Sequence, residues 1–286
     1  MPDSCTVPQG DIPSPCQVVK VLLEDIMQTS NPDAPDHCGT GKIRIYLDPV
    51  KVPDLAQGLR VTLDGDQHHY LRNVMRCRVD TRLLVFNGRH GEWQAAIREM
   101  TKKLTVLELE ASTRPHADLP DIWLVFAPLK RARMDYLAQK ATEMGAGVLL
   151  PMRTRFTQGG QFKLERLAAN AVEAAEQCGL VQVPEVRDLV SLDTLMQDWE
   201  NYAPGRRIIF CDEKAPVGDA LSALKGLRGQ PVAVFIGPEG GFSDAERDQL
   251  AAHPLAQPIS LGPRILRADT AGVAALALCQ SCLGDW

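Results

Sequence analysis

The feature that most constrains this chain is an alternation of short apolar strands with amphipathic helices, which begins near residue 122. The apolar segments are IWLVFAPL (122–129), GVLLPM (147–152), a run near 208–211, PVAVFIG (231–237) and PISLG (258–262). Helical segments separate them, among them RARMDYLAQKATEMG (131–145) and QFKLERLAANAVEAAEQCG (161–179). Alternation at this spacing is typical of α/β domains with a largely parallel sheet. We therefore predict an α/β fold class for a domain spanning residues 118–286.

A strand-rich pattern precedes this domain. In KIRIYLD (42–48), alternate residues are apolar, which is the periodicity of a strand. Further candidate strands are GLRVTL, RLLVFNG, GEWQAAI and KKLTVLEL, and the pair Asn87-Gly88 favours a hairpin turn with positive φ. Several short strands in succession predict a small β-barrel over residues 42–114, with a linker at 112–121.

The charge of the chain is unevenly distributed. The formal net charge is -5, and residues 1–41 carry one Lys against six Asp and Glu. Because Pro and Asp are also frequent there, we predict a disordered extension over residues 1–41. Residues 60–98 hold seven Arg against four acids, and residues 128–167 hold eight Lys and Arg against three acids. Two local basic surfaces of this kind are suited to contacts with phosphates.

Membrane and metal sites are not expected. No run of about 18 apolar residues is present, so we predict no membrane span. The eight cysteines are irregularly spaced, and Cys279 and Cys282 form the single CxxC pair, whereas a zinc site needs about four ligands. We predict no metal and buried thiols in a reducing, cytoplasmic environment.

Two loops rich in glycine and proline stand between a strand and a helix. The first is GPEGG (237–241), followed by Ser243 and Glu246 in the spacing of a capping box. The second is GPRILRADT (262–270), which follows the strand PISLG. Neither loop is a P-loop or a GxGxxG motif. Ligands of parallel sheets bind beyond the carboxyl ends of strands, so we expect the two loops to lie side by side as the walls of a pocket.

The two loops carry a resemblance to a known family. FIGPEGGFSDAE and LGPRILRADTA resemble the signature motifs of the SPOUT-class ribosomal RNA methyltransferases, and most closely the RsmE family, which methylates N3 of a uridine in 16S rRNA. HHYLRNVMRCRVDTRLLVFNG is similar to the PUA-like RNA-binding segment of that family, and NAVEAAEQCGLVQVPEV to one of its central blocks. The resemblance implies a trefoil knot, bound S-adenosylmethionine (SAM), a homodimer with its active site at the subunit interface, and the small ribosomal subunit as partner.

Site residues follow from the motifs together with the chemistry that the resemblance implies. Small and apolar loop residues suit a cofactor that is read by backbone groups, and we assign to SAM binding Ile236, Gly237, Pro238, Glu239, Gly240, Gly241, Leu261, Gly262, Ile265, Leu266 and Thr270. Alkylation of a uracil nitrogen requires proton removal and stabilisation of the developing anion. We expect Arg267 to be the catalytic cation, Glu239 the acceptor or base, and Thr270 a hydrogen-bonding partner. For Glu239, a loop carboxylate facing water is the other interpretation.

RNA contacts are expected on basic and polar residues outside this pocket. Arg72 and Arg76 lie four apart and share a face if HYLRNVMR is helical. Lys130 and Arg131 follow the first strand of the α/β domain and extend the basic surface. Two residues of the 161–179 helix, Glu176 and Gln177, are substrate-side candidates, and a solvated helix face is the other interpretation.

Two other functions stay open at this point. One is a SPOUT methyltransferase that modifies a ribose 2′-hydroxyl or a transfer RNA. A non-catalytic RNA-binding factor for ribosome assembly, built on the same scaffold, is the third hypothesis. SAM affinity separates that factor from an enzyme, because a scaffold without activity binds RNA but not SAM.

Overall fold

The computed structural model describes residues 43–158, 162–215 and 220–286, so the predicted extension 1–41 lies outside the described residues. The described chain contains two sheets. The strands of the first are β1 (Arg44–Tyr46), β2 (Arg60–Leu63), β3 (Arg82–Phe86), β4 (Glu92–Met100) and β5 (Thr105–Arg114). All five predicted strand segments of this region are therefore present. Because β5 extends to Arg114, the predicted linker is shorter than expected at its start.

The first sheet has the strand order β1-β3-β4-β5-β2. Strand β1 runs parallel to β3, and the other pairs are antiparallel. The predicted hairpin joins β3 to β4, with Gly88 at φ 75° and the Asn87 side chain buried in the turn. One apolar core takes residues from all five strands, among them Ile45, Val61 and Val85. This arrangement agrees with the predicted small barrel.

The second sheet is entirely parallel, as the alternating pattern predicts. Its strands are β6 (Ile122–Phe126), β7 (Val148–Arg153), β8 (Glu185–Val186), β9 (Val190–Ser191), β10 (Arg207–Cys211), β11 (Val232–Ile236) and β12 (Ala256–Ile259). The order is β12-β10-β11-β6-β7-β8, and β9 pairs with β7. The strands that precede the two glycine–proline loops, β11 and β12, are thus separated by β10. The two loops therefore follow strands that are successive in this part of the sequence order but are not neighbours in the sheet.

Helices cover both faces of the parallel sheet. They are α2 (Arg131–Glu143), α3 (Leu164–Cys178), α4 (Leu192–Gln197), α5 (Trp199–Tyr202), α6 (Ala220–Lys225), α7 (Asp244–Ala252) and α8 (Ala268–Leu283). The helix α1 (Gly65–His69) belongs to the first sheet, between β2 and β3. Alternate residues of one strand enter different cores: Leu124 packs with α2, α3 and α8, whereas Val125 packs with α4, α5 and α7. Burial on both sides explains why the central strands are apolar throughout.

The first sheet is joined to α3 by a group of charged side chains. The Arg44 guanidinium donates to the carbonyl oxygen of Ala175 in the last turn of α3 (2.8 Å), where carbonyls lack a partner within the helix, and to that of Leu180 just beyond the helix (2.7 Å). Its Nε atom lies 2.9 Å from a carboxylate oxygen of Glu92, and both side chains are about nine-tenths buried. These contacts hold the carboxyl end of α3 against β1.

Two further expectations concern membrane spans and thiols. Within the described ranges, no helix is both long enough and apolar enough to cross a membrane. The buried thiols are found as expected for the CxxC pair, since Cys279 and Cys282 lie on α8 and face the core, whereas Cys178 is exposed. Burial raises the pKa of Cys279 to about 12, so this thiol stays protonated. The trefoil knot and the limits of the domains stay predictions.

Candidate functional site

A cavity of about 330 Å³ opens at the carboxyl edge of the parallel sheet. Both glycine–proline loops line it, although β10 separates their strands. Of the residues expected there, the cavity wall contains Ile236, Gly237, Pro238, Glu239, Gly241, Leu261, Gly262, Ile265, Leu266 and Arg267. The carboxyl edge is where parallel sheets bind ligands, and the two loops meet there because each leaves the sheet in the same direction.

Two of the expected residues do not line this cavity. Gly240 lies against the side chain of Phe156, and a Cβ atom at this glycine would stand 3.2 Å from the Cβ of Phe156. Thr270 is exposed in the first turn of α8, where its backbone N–H donates to the side chain of Asp269. Most residues of the two loops therefore line the cavity, whereas Gly240 and Thr270 do not.

The loop after β11 is held at both ends. Ser243 and Glu246 form the predicted capping box: the Ser243 backbone N–H donates to Glu246 at 2.8 Å, and the Ser243 hydroxyl accepts from the Glu246 backbone N–H. The buried Glu246 carboxylate also accepts from the backbone N–H of Arg155, 2.6 Å away, which ties the loop to the end of β7. At Gly237 a Cβ atom would lie 3.2 Å from the ring of Phe242, so a side chain here would require the ring to shift.

The loop after β12 depends on backbone conformation. Gly262 has φ +105°, which residues with a side chain rarely adopt, and no atom lies within 4 Å of a Cβ built there. The Ser260 hydroxyl accepts from the Gly262 backbone N–H at 3.3 Å. Arg267 stands at the N-cap of α8, and its side chain is exposed beside the cavity. Arg264 of the same loop is also exposed and lines the cavity, so the loop presents its backbone and two guanidinium groups there.

The end of β10 contributes residues that sequence reasoning missed. Cys211, Asp212 and Glu213 line the cavity between the two loops. The Asp212 carboxylate is buried and lies 2.9 Å from Nε of Arg247 on α7. Burial raises the pKa of the Cys211 thiol well above its usual range. No motif marks this segment, and only the position of β10 between β11 and β12 brings it to the cavity.

Arg133 on α2 is a second missed residue of the cavity wall. Its guanidinium forms an ion pair with the carboxylate of Glu239, and each side chain is 31% exposed. The carboxylate in the loop after β11 is thus paired with a cation on α2, the helix that follows the neighbouring strand β6. Spacing in the sequence offers no signal for this pair, because 106 residues separate the partners.

The expected RNA-binding arginines do not share a helical face. The helix α1 continues as one π-helical turn over Tyr70–Val74 and ends there, so Arg76 lies beyond it, with φ 53°. Arg72 donates to the backbone carbonyl of Thr101 within the barrel. The helical premise for pairing Arg72 with Arg76 is wrong, since the π-turn changes the repeat of the helix, and their RNA-binding role stays a prediction.

The other RNA candidates fall into two groups. Lys130 and Arg131 are exposed at the start of α2, on the carboxyl edge of the sheet. Glu176 accepts a hydrogen bond from the backbone N–H of Tyr46 at 2.8 Å, so this carboxylate takes part in the junction between α3 and β1. Its neighbour Gln177 is exposed. Of these four residues, Lys130 and Arg131 lie near the cavity, because Arg133 in the same helical turn lines its wall.

No metal centre accompanies the cavity. Within the described ranges, no group of three or more His, Cys, Asp or Glu side chains is arranged to hold a metal ion. The polar groups at the cavity are backbone groups, the carboxylates of Glu239 and Asp212, which are each paired with an arginine, and the side chains of Glu213, Ser260, Arg264 and Arg267. Such a site suits a neutral or zwitterionic organic ligand that is bound by backbone and apolar contacts.

Comparison with known families gives two matches. The family model of an RNA methyltransferase domain matches residues 117–280. The family model of an RNA methyltransferase PUA domain matches residues 63–110. The first match covers the parallel sheet with the cavity, and the second covers most of the first sheet.

Relatives and solved structures agree with these matches. Ribosomal RNA small subunit methyltransferase E of Rickettsia conorii is 28% identical over 236 residues, which cover 82% of this chain and 93% of the relative. The Synechocystis protein of the same name is 31% identical over 232 residues, covering 80% and 75%. A methyltransferase of Legionella pneumophila, solved with SAM, superposes with TM-score 0.77 at 29% identity, covering 86% of this chain and all of the other. The Neisseria gonorrhoeae enzyme bound to SAM has TM-score 0.73 at 25% identity, with the same coverage.

Proposed function

The chain belongs to the family of ribosomal RNA small subunit methyltransferases E, and from that premise we propose that it methylates N3 of a uridine in 16S rRNA. The chain is a SAM-dependent methyltransferase of 16S rRNA, as its relatives and the SAM-bound neighbours indicate. The atom that receives the methyl group is the further step of the proposal. The observation that carries it is the convergence of both glycine–proline loops, Arg267 and the Arg133–Glu239 pair on one cavity.

The cavity suits SAM by its shape and by its polar groups. The glycine at 262 leaves open space above the backbone, and Gly237 allows the ring of Phe242 to pack directly against the chain. Apolar side chains of Ile236, Leu261 and Leu266 provide a surface for the adenine, and loop amides and carbonyls are available to read its edge. We assign the cofactor to these loops, together with Pro238, Gly241 and Ile265. Gly240 and Thr270 stay candidates at the margin of the site.

In the proposed chemistry, charged side chains at the rim of the cavity have separate roles. SAM, when bound, supplies an electrophilic methyl group. Arg267 is exposed beside the cavity, and its guanidinium stabilises the negative charge that develops on uracil oxygens as N3 loses its proton. Glu239 accepts that proton, and Arg133 holds the Glu239 carboxylate in place. Thr270 and the loop backbone orient the base.

Assembly and location are further parts of the proposal. We place the enzyme in the cytoplasm, on the small ribosomal subunit, as a homodimer with a trefoil knot in residues 118–286. Ile265 supports the dimer, because this apolar side chain is 84% exposed next to the cavity and a second subunit would cover it. Multi-angle light scattering tests the dimer, and a monomeric mass at micromolar concentration contradicts it.

The site of methylation is tested with small ribosomal subunits from a strain that lacks this enzyme. The subunits are incubated with the protein and methyl-labelled SAM, and the labelled nucleoside is identified by mass spectrometry after digestion. We expect 3-methyluridine. A ribose-methylated nucleoside, or label in transfer RNA, shows that a different position is modified. RNA binding without SAM binding in calorimetry identifies a non-catalytic assembly factor instead.

A further inference from the structure

A groove lies between the starts of α2 and α3, next to the proposed cofactor cavity. Its volume is about 770 Å³, within the range of small-molecule and nucleotide sites. The first turn of α2 separates the two spaces: Arg133 lines the cavity, whereas Lys130 and Arg131 line the groove. A ligand bound in the groove is therefore one helical turn away from a ligand in the cavity.

The groove is basic. Four cationic side chains, Lys130, Arg131, Lys163 and Arg166, face two acidic ones, Asp135 and Glu165, which gives a net charge of +2. Arg166 is occupied by Asp135, whose carboxylate lies 2.6 Å from its Nε atom. In the described part of the chain, no carboxylate lies within ion-pair distance of Lys130, Arg131 or Lys163. Three cations of the groove are therefore available to an anionic ligand.

These cations are not explained by the stability of the helices that carry them. Helices favour acidic side chains in the first turn, because the N-terminal end of the helix is positive. In α2 the first turn contains no acidic residue, and Lys130 at the N-cap makes no capping hydrogen bond. Lys163 at the N-cap of α3 makes none either, although this helix has Glu165 in its first turn. Residues that oppose a local rule without a compensating contact are expected at functional positions.

The floor of the groove is apolar. Leu129, Met134, Phe162 and Leu167 line it below the cationic rim. Phe162 is half-buried and packs against the main core, which leaves part of its side chain at the groove. Proteins bind single-stranded RNA with this combination, in which cations contact the phosphates and aromatic rings contact the bases.

We propose that the groove between α2 and α3 binds an unpaired nucleotide of the RNA substrate that adjoins the modified uridine. Phe162 contacts the face of its base, and Lys130, Arg131 and Lys163 contact the neighbouring phosphates. The proposal rests on the proposed function, because it assumes that the modified base enters the cavity on the other side of α2. In this proposal the groove anchors the RNA strand, and catalysis takes place in the cavity.

The test measures binding of a short fluorescent oligouridylate at several salt concentrations, without SAM. For Lys163→Ala we expect weaker binding and a salt dependence whose logarithmic slope is smaller by about 0.7, the contribution of one phosphate contact. For Phe162→Leu, which keeps an apolar side chain, we expect binding that is about 5- to 100-fold weaker with an unchanged slope, as for the loss of a stacked base. Lys225→Ala, an exposed lysine on α6, is the matched control and should leave both quantities unchanged.

The outcomes separate this proposal from the proposed function. If Lys163→Ala and Phe162→Leu bind the oligouridylate as the wild type does, the groove is not an RNA site, even where methyl transfer to ribosomal subunits is intact. Equal losses in the Lys225→Ala control also overturn it, because they indicate a general charge effect. If the wild-type protein fails to methylate subunits but the two groove variants lose RNA affinity, the proposed function fails; the groove then binds RNA, but the part of the proposal that places it next to a modified uridine is overturned.

Discussion

Arg133, in the first turn of α2, and Glu239, in the loop after β11, form an ion pair at the wall of the cavity. The pair joins the strand connection after β6 to the first glycine–proline loop. Because both side chains are 31% exposed, solvent screens the pair and its contribution to folding stability is small, about 0.2 to 1 kcal/mol. We expect the main role of the pair to be the positioning of the Glu239 carboxylate.

We therefore expect Arg133→Ala to lower methyl transfer more than it lowers stability. A fall in kcat/KM of about tenfold or more corresponds to about 1.4 kcal/mol of transition-state stabilisation, above the stability effect of an exposed pair. Steady-state kinetics and urea unfolding measure the two effects. Arg133→Lys keeps the charge and should retain part of the activity. Equal activity of Arg133→Ala and wild type would show that the pair does not position Glu239.

Arg267→Ala tests the proposed catalytic cation. The side chain is exposed at the cavity and makes no ion pair among the described residues, so its removal should leave folding nearly unchanged. Loss of a charge that stabilises the developing anion lowers kcat by about 100- to 1000-fold. SAM affinity, measured by calorimetry, should change little. A variant with wild-type turnover refutes the assignment.

Gly262→Ala tests the conformation of the second loop. A side chain at φ +105° strains the backbone by about 1 to 3 kcal/mol, although the space above this glycine is open. We expect a lower melting temperature and weaker SAM binding, because the strained loop relaxes away from the shape of the cavity. Gly226→Ala is the control, since Gly226 has no positive φ and its Cβ would make only ordinary contacts. The same loss in both variants would contradict a role for this conformation.

Arg44→Ala tests the junction between the first sheet and α3. Its removal leaves the carboxylate of Glu92, which is 10% exposed, with Arg114 at 3.2 Å as its remaining ion-pair partner, and leaves the carbonyls of Ala175 and Glu176 in the last turn of α3 without this donor. Breaking a buried pair from one side destabilises a protein by about 3 to 5 kcal/mol, and the remaining arginine places this case at the lower end. Arg60→Ala removes an exposed partner of Glu108 and should change stability by less than about 1 kcal/mol. Urea unfolding compares the two, and similar values would contradict the junction.

Glu176 provides a prediction for pH. Burial raises the pKa of the Glu176 carboxyl above its ordinary value, and the nearby Glu173 adds to this, whereas the Tyr46 N–H and Arg44 oppose it. A raised pKa in the folded state means that protonation stabilises the fold below about pH 4.5 and that this stabilisation is lost as pH rises through the folded-state pKa. Glu176→Gln removes the titration and keeps an acceptor for Tyr46. Its stability relative to wild type should therefore increase with pH above about 4.5, and a constant difference in urea unfolding would contradict this.

The local elements of the fold were predictable. The strand β11 and the helices α2 and α3 fall within the segments expected from the sequence, whereas β12 begins two residues before its expected segment and shares only Pro258 and Ile259 with it. The capping box of Ser243 and Glu246 forms as its spacing predicts. In contrast, the shared face of Arg72 and Arg76 depended on a helix that reaches Arg76, and the helix ends in a π-turn at Val74. The short strands β8 and β9 with the helices α4 and α5 carry too weak a periodic signal to be expected.

The sequence alone determined the alternation of strands and helices, the two glycine–proline loops and their family, because these depend on neighbours within a few residues of each other. Only the tertiary structure decided that β10 lies between β11 and β12 and that Asp212 and Arg133 reach the cavity. Strand order is set by which apolar faces can be buried together, and this depends on contacts between distant segments. For the same reason Glu176, expected to face a substrate, is held against β1: the end of α3 is buried by a strand about 130 residues earlier.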